Sequence, residues 1–400
     1  MRLDPLSEEF ARDPYAAYAA LRAEGAPVWD EGLQMWLLAR FDWVAAAALD
    51  RRLVRSPQGV FAPDEIAARQ RAANWHDMPL HRRFVQFSLL DSDGVVHDRL
   101  RKLVFRELGA AALARLKANT QELVAALVAR VRGAGAIDFV ADFAAHVPGH
   151  VIGRLLGTSD ADAAMLCRWS ENIVQYFDVD RSDERKALAE ATTAAFYEYL
   201  KALAVLRRRA PRDDLITRLA AAEDGGAISH DEFVSTAMLV LMAGHGSSID
   251  VMSSGLHALL RHPDQMRRLR DEPALLPSTT QEMFRFEPPL PFFHRHAAED
   301  IELAGRRFAR GTTFGLLYGA ANRDPQAFVD PDHFDIGRSP NRHLAFGYGA
   351  HLCLGNHLAR MTMETVFAAL CCHDITLVEA PSWKRGLSVR GPRALRVALD

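Results

Sequence analysis

The 400-residue chain is 49% hydrophobic and 25% charged, and its 48 Lys and Arg against 51 Asp and Glu leave a formal charge of −3. No sustained block of either sign occurs, which excludes the basic footprint of a nucleic-acid binder. No apolar run approaches the ~20 residues of a membrane span, the N-terminus MRLDPLSEEFARDP has no signal-peptide pattern, and four cysteines (Cys167, Cys353, Cys371, Cys372) suit a reducing compartment, so a cytoplasmic protein is expected.

In chain order, Phe10 to Glu24 is amphipathic and reads as one helix that stops near Gly25 and Pro27. Val28 to Arg40 has strand character. His97 to Gly133 predicts two or more helices, with Gly109 the break. Ala161 to Arg209 predicts two more around the polar segment DVDRSDER, and Pro211 opens another. Ser229 and Glu232 form a capping box ahead of an apolar stretch from Phe233 to Leu260, which His262-Pro263 ends. That helix of about 30 residues spans roughly 45 Å, enough to cross a domain. Ser278 and Gln281 cap a further helix, terminated by Pro288 and Pro289. Strand signals return at Asp300 to Tyr318, with a turn near Gly305, then at Ile375 to Val378 and Leu395 to Leu399. The expectation is a mainly α protein with a minor β portion, a single unit over 1–400. It is helix-rich over about 90–290 and 354–372, with sheet near 28–40, 300–318 and the C-terminus.

The segment Phe346-Gly347-Tyr348-Gly349-Ala350-His351-Leu352-Cys353-Leu354-Gly355 concentrates the chemistry. Glycines permit a tight backbone loop where a Cβ would clash or φ is positive. Asn356 to Leu370 has the spacing of a helix, whose N-terminal amides and dipole would stabilise a thiolate at Cys353. Phe346 is placed to shield the sulfur, because hydration tunes a metal–thiolate centre.

This segment resembles the cysteine-loop signature F-G-x-G-x-H-x-C-x-G of the cytochromes P-450, with every fixed position matched. The resemblance implies that family's fold, with haem b lying between the long helix and the cysteine-loop helix, and Cys353 as axial iron ligand. It also implies cofactor contacts at Phe346, Gly347, Gly349, His351 and Gly355. Glu282 and Arg285, one helical turn apart, with Arg338 of the Phe334-Asp335-Ile336-Gly337-Arg338 segment, match the family's buried ionic triad. His97 and Arg101 match an H-x-x-x-R pair facing a haem propionate, and Arg295 matches a propionate contact from the sheet side. The similarity runs from FARDPYAAYAALR to the C-terminal sheet, as in bacterial members without a membrane anchor.

One departure stands out. Where relatives carry A-G-x-[D/E]-T over the distal side of the haem, this chain reads Ala243-Gly244-His245-Gly246-Ser247-Ser248. Glycine takes the acid position and should loosen the helix there, opening room for water. Serine replaces threonine and keeps a donor and acceptor. His245 is expected to face away from the haem. By family position, Leu239, Met242 and Ala243 roof the substrate pocket, Pro291, Phe292 and Phe293 line it with one phenylalanine turned away, and Gly391 and Pro392 touch it from the C-terminal turn. A largely apolar small molecule follows.

The family function is monooxygenation with O2 and electrons from a ferredoxin or flavodoxin. Lys102, Arg106, Arg342 and Arg360 are docking candidates for that acidic partner, and a monomer is expected. Gly246 and Ser247 leave two chemistries open. Either Ser247 with ordered water or a substrate group delivers protons, or the enzyme uses peroxide or performs coupling or desaturation. The alternative from another class is a binding or recruitment member without turnover, against which the retained Cys353 and Glu282 speak.

Overall fold

The computed structural model describes residues 3–400. Helices make up 58% of the chain, with a minor strand portion, so the mainly α class holds. The chain divides into two compact units, Met1–Leu53 with Lys117–Val147 and Ser247–Asp400, and Val54–Leu116 with Pro148–Gly246.

In the first unit the main sheet sets Val28–Asp30, Met35–Leu38, Thr313–Leu317 and Phe292–Ala297 side by side. Met35–Leu38 pairs in parallel with Thr313–Leu317, and Phe292–Ala297 pairs antiparallel to it, Arg295 opposite Phe314. Phe293, Arg295 and Ala297 therefore share one face, and Phe292, His294 and His296 the other. Leu38, Val44, Ala47, Ala297, Phe314, Leu316, Tyr318 and Leu344 are buried together, joining that sheet to the helix Phe41–Leu49 and to the chain just ahead of the cysteine loop. A second sheet sets Ala136–Asp138 and Ile375–Leu377 on either side of Arg396–Leu399, and Ser382–Trp383 pairs with Pro392–Ala394 as a C-terminal hairpin.

The N-terminal segment differs from the single helix expected. Glu8–Arg12 and Tyr15–Ala23 are separate helices, because Asp13, ahead of Pro14, is held extended (φ −147°) and its carboxylate accepts from the Tyr15 amide at 2.9 Å. The two remain joined to the C-terminal region through a buried charge cluster. Arg390 Nε donates to Glu287 Oε2 at 2.6 Å, Tyr15 Oη donates to the same oxygen at 3.0 Å, and Arg390 Nη1 donates to the Ala11 carbonyl at 2.9 Å.

The second unit contains the helices Gly94–Arg106, Ala163–Val174, Asp183–Arg209 and Leu215–Asp224. The break at Gly109 falls between Gly94–Arg106 and Ala110–Val131, as the sequence predicts. The helix expected from Pro211 begins instead at Leu215, because Asp214 accepts from the Thr217 amide at 2.8 Å and so caps the first turn. Trp75 and His81 pack on Tyr176 with ring centroids 5.6 and 5.9 Å away. Glu190 accepts from the amides of Leu80 and His81 at 3.0 and 2.9 Å, capping the helix Pro79–Phe87 from a different helix.

The long helix runs His230–Arg261, and residues 230–246 count with the second unit. Its capping box is formed: Ser229 N–H donates to Glu232 Oε2 at 2.8 Å, and Glu232 N–H donates to Ser229 Oγ at 3.2 Å. Arg99 Nη1 also donates to Glu232 Oε2, at 3.1 Å. The helix expected to be capped at Ser278 starts earlier, at Leu276 with Pro277 in its first turn. Ser278 Oγ donates back to the Leu275 carbonyl at 2.8 Å, so its hydroxyl is engaged within the turn.

Burial of His81 has a consequence for stability against pH. Its pKa falls from 6.5 to about 3, first through desolvation and then through the Arg181 charge. The unfolded chain binds a proton below pH 6.5 that the native state refuses, so stability drops as pH falls from 6.5 toward 3. The slope is at most about 1.4 kcal/mol per pH unit. Urea unfolding of His81→Leu across this range is expected to lose that component, and an unchanged pH profile would show that His81 titrates normally.

Candidate active site

Cys353 is exposed, on a loop whose backbone is fixed on every side. Gly347 (φ 71°) and Gly349 (φ 72°) occupy the left-handed region. A Cβ on Gly349 would lie 2.5 Å from the Ala48 carbonyl oxygen, so the loop approaches the helix Phe41–Leu49 where a side chain cannot fit. The amides of Gly347, Leu352 and Cys353 donate to the carbonyls of Leu344 (2.9 Å), Gly349 (3.1 Å) and Phe346 (2.8 Å). The next helix spans Asn356–Leu370, the bounds the sequence predicts, and Asn356 Nδ2 donates back to the Cys353 carbonyl at 2.7 Å. Cys353 thus lies just ahead of the positive end of that helix, which favours its thiolate.

Aromatic and cationic groups surround the loop. The Phe346 ring centroid is 4.5 Å from that of Phe284 and 5.7 Å from that of His343, and the Arg360 guanidinium lies over Phe346 at 5.1 Å. Burial pulls the Arg360 pKa down, and the charges of Glu364 and Cys353 act against that. The His343 pKa is lowered to about 3 by burial and then by Arg360 and Arg285, so this imidazole is neutral.

The loop is carried by a buried ion-pair network. Glu282 and Arg285 are both fully buried. Arg285 donates from Nε to Glu282 Oε2 and from Nη2 to Oε1, each at 2.7 Å, a bidentate pair. Arg338 Nε lies 3.2 Å from both Glu282 oxygens. Asn341 Nδ2 donates to Oε2 at 3.1 Å and the Asp335 amide to Oε1 at 3.0 Å. Arg285 Nη1 also donates to the Asn322 carbonyl at 2.9 Å, while Asn322 Oδ1 accepts from the Leu344 amide at 2.7 Å. Asn322 therefore links the triad to the start of the cysteine loop. Sequence reasoning missed Asn322, Asn341 and the Asp335 amide, since each acts through a local turn that no spacing marks.

The remaining predicted residues fall into separate settings. In the first unit, Arg295 is buried and donates from Nη1 to the His294 carbonyl at 2.9 Å. Phe293 packs on Tyr318 at 6.1 Å, on the same sheet face as Arg295, whereas Phe292 packs beside Gly315 on the other. Pro291 packs against Gly319 and lines a small cavity with Phe10, Tyr18, Lys384 and Arg390. His351 ends a short turn at Gly349–His351, and Gly355 precedes the helix that follows Cys353. Gly391 lies against the Asp250 side chain, and Pro392 opens the second strand of the hairpin. In the second unit, His97 is buried with Nδ1 3.2 Å from Asp98 Oδ1, and Arg101 follows one turn later on the same helix.

The long helix is continuous through 243–248, so Gly246 does not interrupt it. The two glycines serve opposite ends. A Cβ at Gly244 would lie 2.5 Å from Ile152 Cδ1, whereas one at Gly246 would meet nothing within 4 Å. Leu239, Gly246 and Ser247 are half-buried and Ala243 is exposed, on a helix whose Met238, Leu241, Met242 and His245 are buried. At spacings of four, seven and eight residues these positions share a face, and their exposure marks open volume beside it.

These residues suit a haem. Among the described residues no group of three or more His, Cys, Asp or Glu could hold a bare metal ion. Cys353 is a lone soft donor, appropriate to an iron that brings four porphyrin nitrogens of its own.

Comparison with known proteins agrees. The family model for cytochrome P-450 matches residues 160–371. The chain is 33% identical to 6-deoxyerythronolide B hydroxylase of Saccharopolyspora erythraea, over 98% of each chain. It is also 33% identical to cytochrome P-450 monooxygenase PikC of Streptomyces venezuelae, over 99% of this chain and 93% of that one. Among solved structures, CalO2 superposes with a TM-score of 0.92 at 30% identity, covering 100% of this chain and 99% of its own. P450BioI in complex with an acyl carrier protein ligated to hexadec-9Z-enoic acid superposes with a TM-score of 0.90 at 29% identity, covering 98% and 100%.

Replacing Glu282 with Ala leaves the buried Arg285 guanidinium uncompensated and removes the carboxylate partner of the half-buried Arg338, at a cost of about 3–5 kcal/mol. Melting temperature and haem content are expected to fall together, while ligand affinity of the haem-loaded fraction stays unchanged. A fully loaded variant that melts like the parent would show that the network does not carry the loop.

Proposed function

The chain belongs to the cytochrome P-450 family, and from that premise we propose that this monooxygenase, whose cofactor is haem b, oxidises a largely apolar organic molecule with electrons from a ferredoxin or flavodoxin. The observation that carries this reading is the setting of Cys353: an exposed sulfur at a helix N-terminus, on a loop held by two left-handed glycines and a buried ion-pair network. Bound haem supplies the activation of O2, which takes two electrons and two protons and delivers one oxygen atom to the substrate and the other to water.

Each protein group then has a defined task. Cys353 holds the iron as thiolate, with Phe346 limiting access of water to the sulfur and Gly347, Gly349 and Gly355 allowing close approach. Arg295 and His351 neutralise propionate charge, as do His97 and Arg101 by family position. By family position, Leu239, Met242, Ala243, Phe293, Gly391 and Pro392 are the residues assigned to substrate contact. The register supports Phe293 over Phe292, since Phe293 shares its sheet face with Arg295. The setting of Pro291 against Gly319 supports a structural task for that residue. Lys102, Arg106 and Arg342 are exposed and are the candidate contacts for an acidic redox partner, whereas Arg360 is half-buried over Phe346.

Proton supply falls to Ser247 Oγ, because position 246 carries no acid. The space beside Gly246 accommodates water, and the neighbouring Ser248 and Gly244 shape the same turn. On this reading the enzyme is an ordinary monooxygenase, and peroxide use or an atypical coupling or desaturation is the alternative.

Two measurements test the reading. The reduced, carbon-monoxide-bound protein is expected to show the red-shifted Soret band of thiolate ligation, and Cys353→His should move it to the position seen in globins. Survival of the original band would overturn the ligand assignment. Separately, Ser247→Ala should divert electrons to hydrogen peroxide, since a positioned general acid contributes roughly 10²–10⁴ in rate. Gly246→Asp with Ser247→Thr should tighten coupling. Intact coupling in Ser247→Ala, with equal product from peroxide alone, would favour the peroxide-using chemistry.

A further inference from the structure

We infer that Asp250, held by Lys384 of the C-terminal hairpin, is the proton-holding group that acts through Ser247 and takes over the task of the acid missing at position 246. The inference rests on the reading of Ser247 given above, and it concerns where Ser247 obtains its protons.

Three observations converge on Asp250. First, it is a fully buried carboxylate on the long helix, between the buried apolar side chains of Ile249 and Val251. A carboxylate in that setting is costly unless paired, and it is paired: Lys384 Nζ lies 2.6 Å from Asp250 Oδ1. Second, the hairpin is shaped around it. Gly391 packs directly on the Asp250 side chain, so that any Cβ at 391 would collide with it. The Lys384 amide donates to the Gly391 carbonyl at 3.0 Å, fixing the backbone from which the ammonium reaches in. Third, Lys384 is 35% exposed while Asp250 is 0% exposed, so the pair joins solvent to the interior.

Helix geometry connects this pair to Ser247. Positions 247, 250, 254 and 257 follow at intervals of three, four and three residues and form one stripe. Its members are a hydroxyl, a carboxylate, a hydroxyl and an imidazole. Ser247 is half-buried beside the open volume, Asp250 and Ser254 are buried, and His257 is half-buried with its ring 5.6 Å from that of Trp383. The buried hydroxyls of Ser253 and Ser254 have no hydrogen-bond partner among the described residues, which leaves Ser254 an unspent donor and acceptor within this polar column. An apolar helix would not bury such a column for stability, since each unmade hydrogen bond costs roughly 1–3 kcal/mol.

The proton balance is simple. A solvent hydronium ion at the partly exposed Lys384 side protonates an Asp250 oxygen and is left as water. Asp250 passes that proton to Ser247 Oγ, which releases its own toward the reacting side, and Asp250 returns to its carboxylate form. Lys384 keeps its charge throughout; it orients the carboxylate and favours its ionised form between transfers. Lys384 on the hairpin is the charged group paired with Asp250, and His257 follows two turns later on the same helix stripe. Beyond them lie Arg390 and Glu287, whose charges act on His257 together with Arg261 and His262.

The test uses the holoenzyme and the variants Asp250→Asn, Asp250→Glu, Lys384→Met and Ser247→Ala, each first shown to keep the thiolate-type carbon monoxide band. Asp250→Asn should raise the share of electrons lost as peroxide and cut product per electron by roughly tenfold or more, with ligand affinity by spin-state titration unchanged. Asp250→Glu should restore part of the coupling. The double variant Ser247→Ala with Asp250→Asn should be no worse than the poorer single variant, as for two groups in series.

Infrared difference spectra give a readout independent of turnover. A carboxylic acid band should appear on acidification of the parent, be missing in Asp250→Asn, and appear at higher pH in Lys384→Met. The pH profile of coupling in Lys384→Met should move the same way. If Ser247→Ala itself leaves coupling intact, the assignment of Ser247 fails and this inference falls with it. If Ser247→Ala uncouples while Asp250→Asn does not, or if Asp250→Asn only weakens ligand binding, this inference alone is overturned and the pair merely pins the hairpin.

Discussion

A carboxylate with no exposure to water sits at the centre of this structure's chemistry. Glu282 accepts from Arg285, Arg338, Asn341 and the Asp335 amide, so both of its oxygens are fully engaged. An isolated charge in that position would be untenable, and the network exists because every partner is present at once. Its reach is what matters. Arg285 spends its remaining donors on the carbonyls of Asn322, Pro331 and His333, and Asn322 passes the constraint to Leu344. The loop holding Cys353 starts there. Rigid placement of the sulfur is thus a consequence of neutralising one buried acid.

The same loop shows how an exposed thiol is kept reactive without being flooded. The helix that follows Cys353 supplies positive potential, Phe346 supplies an apolar cover, and Arg360 lies against the far side of that ring. Arg360 is itself disfavoured by burial, so a negative sulfur nearby stabilises it, and the favour is mutual. Cys167 and Cys371 illustrate the contrast. Burial pushes their thiols up to about 11 and about 12, and such cysteines are inert packing.

Legibility in the sequence tracks how local each cause is. The helix after Cys353 and the capping box at Ser229 were readable to the residue, because glycine, serine and apolar spacing act within a turn or two. The triad members Glu282, Arg285 and Arg338 were readable through resemblance, whereas Asn322 and Asn341 were invisible, since nothing in the chain around them marks a distant partner. Errors came where two local rules compete. Asp13-Pro14 split an amphipathic helix that periodicity joined, and Asp214 outcompeted Pro211 as a helix start. The buried Asp250 was illegible for a related reason: nothing beside it in the chain marks a partner, and its meaning depends on Lys384, 134 positions away.

That long-range pairing changes what the departure at 246 signifies. Removing an acid from the helix face beside open volume lowers the local charge and leaves space that water can enter, which alone would make proton supply less controlled. Placing a carboxylate one turn further along, where it is buried and oriented by a lysine, moves the acid out of the open volume without removing it from the helix face. Gly246 then opens the wall, Ser247 remains a half-buried hydroxyl on the same face, and the charge is stored on a carboxylate with no exposure of its own. The hairpin that carries Lys384 also carries Gly391 and Pro392, so a segment proposed to touch substrate is tied by an ion pair to the group proposed to hold the proton. Substrate that shifts this hairpin would change the Asp250–Lys384 separation and, through it, the ease of protonating Asp250.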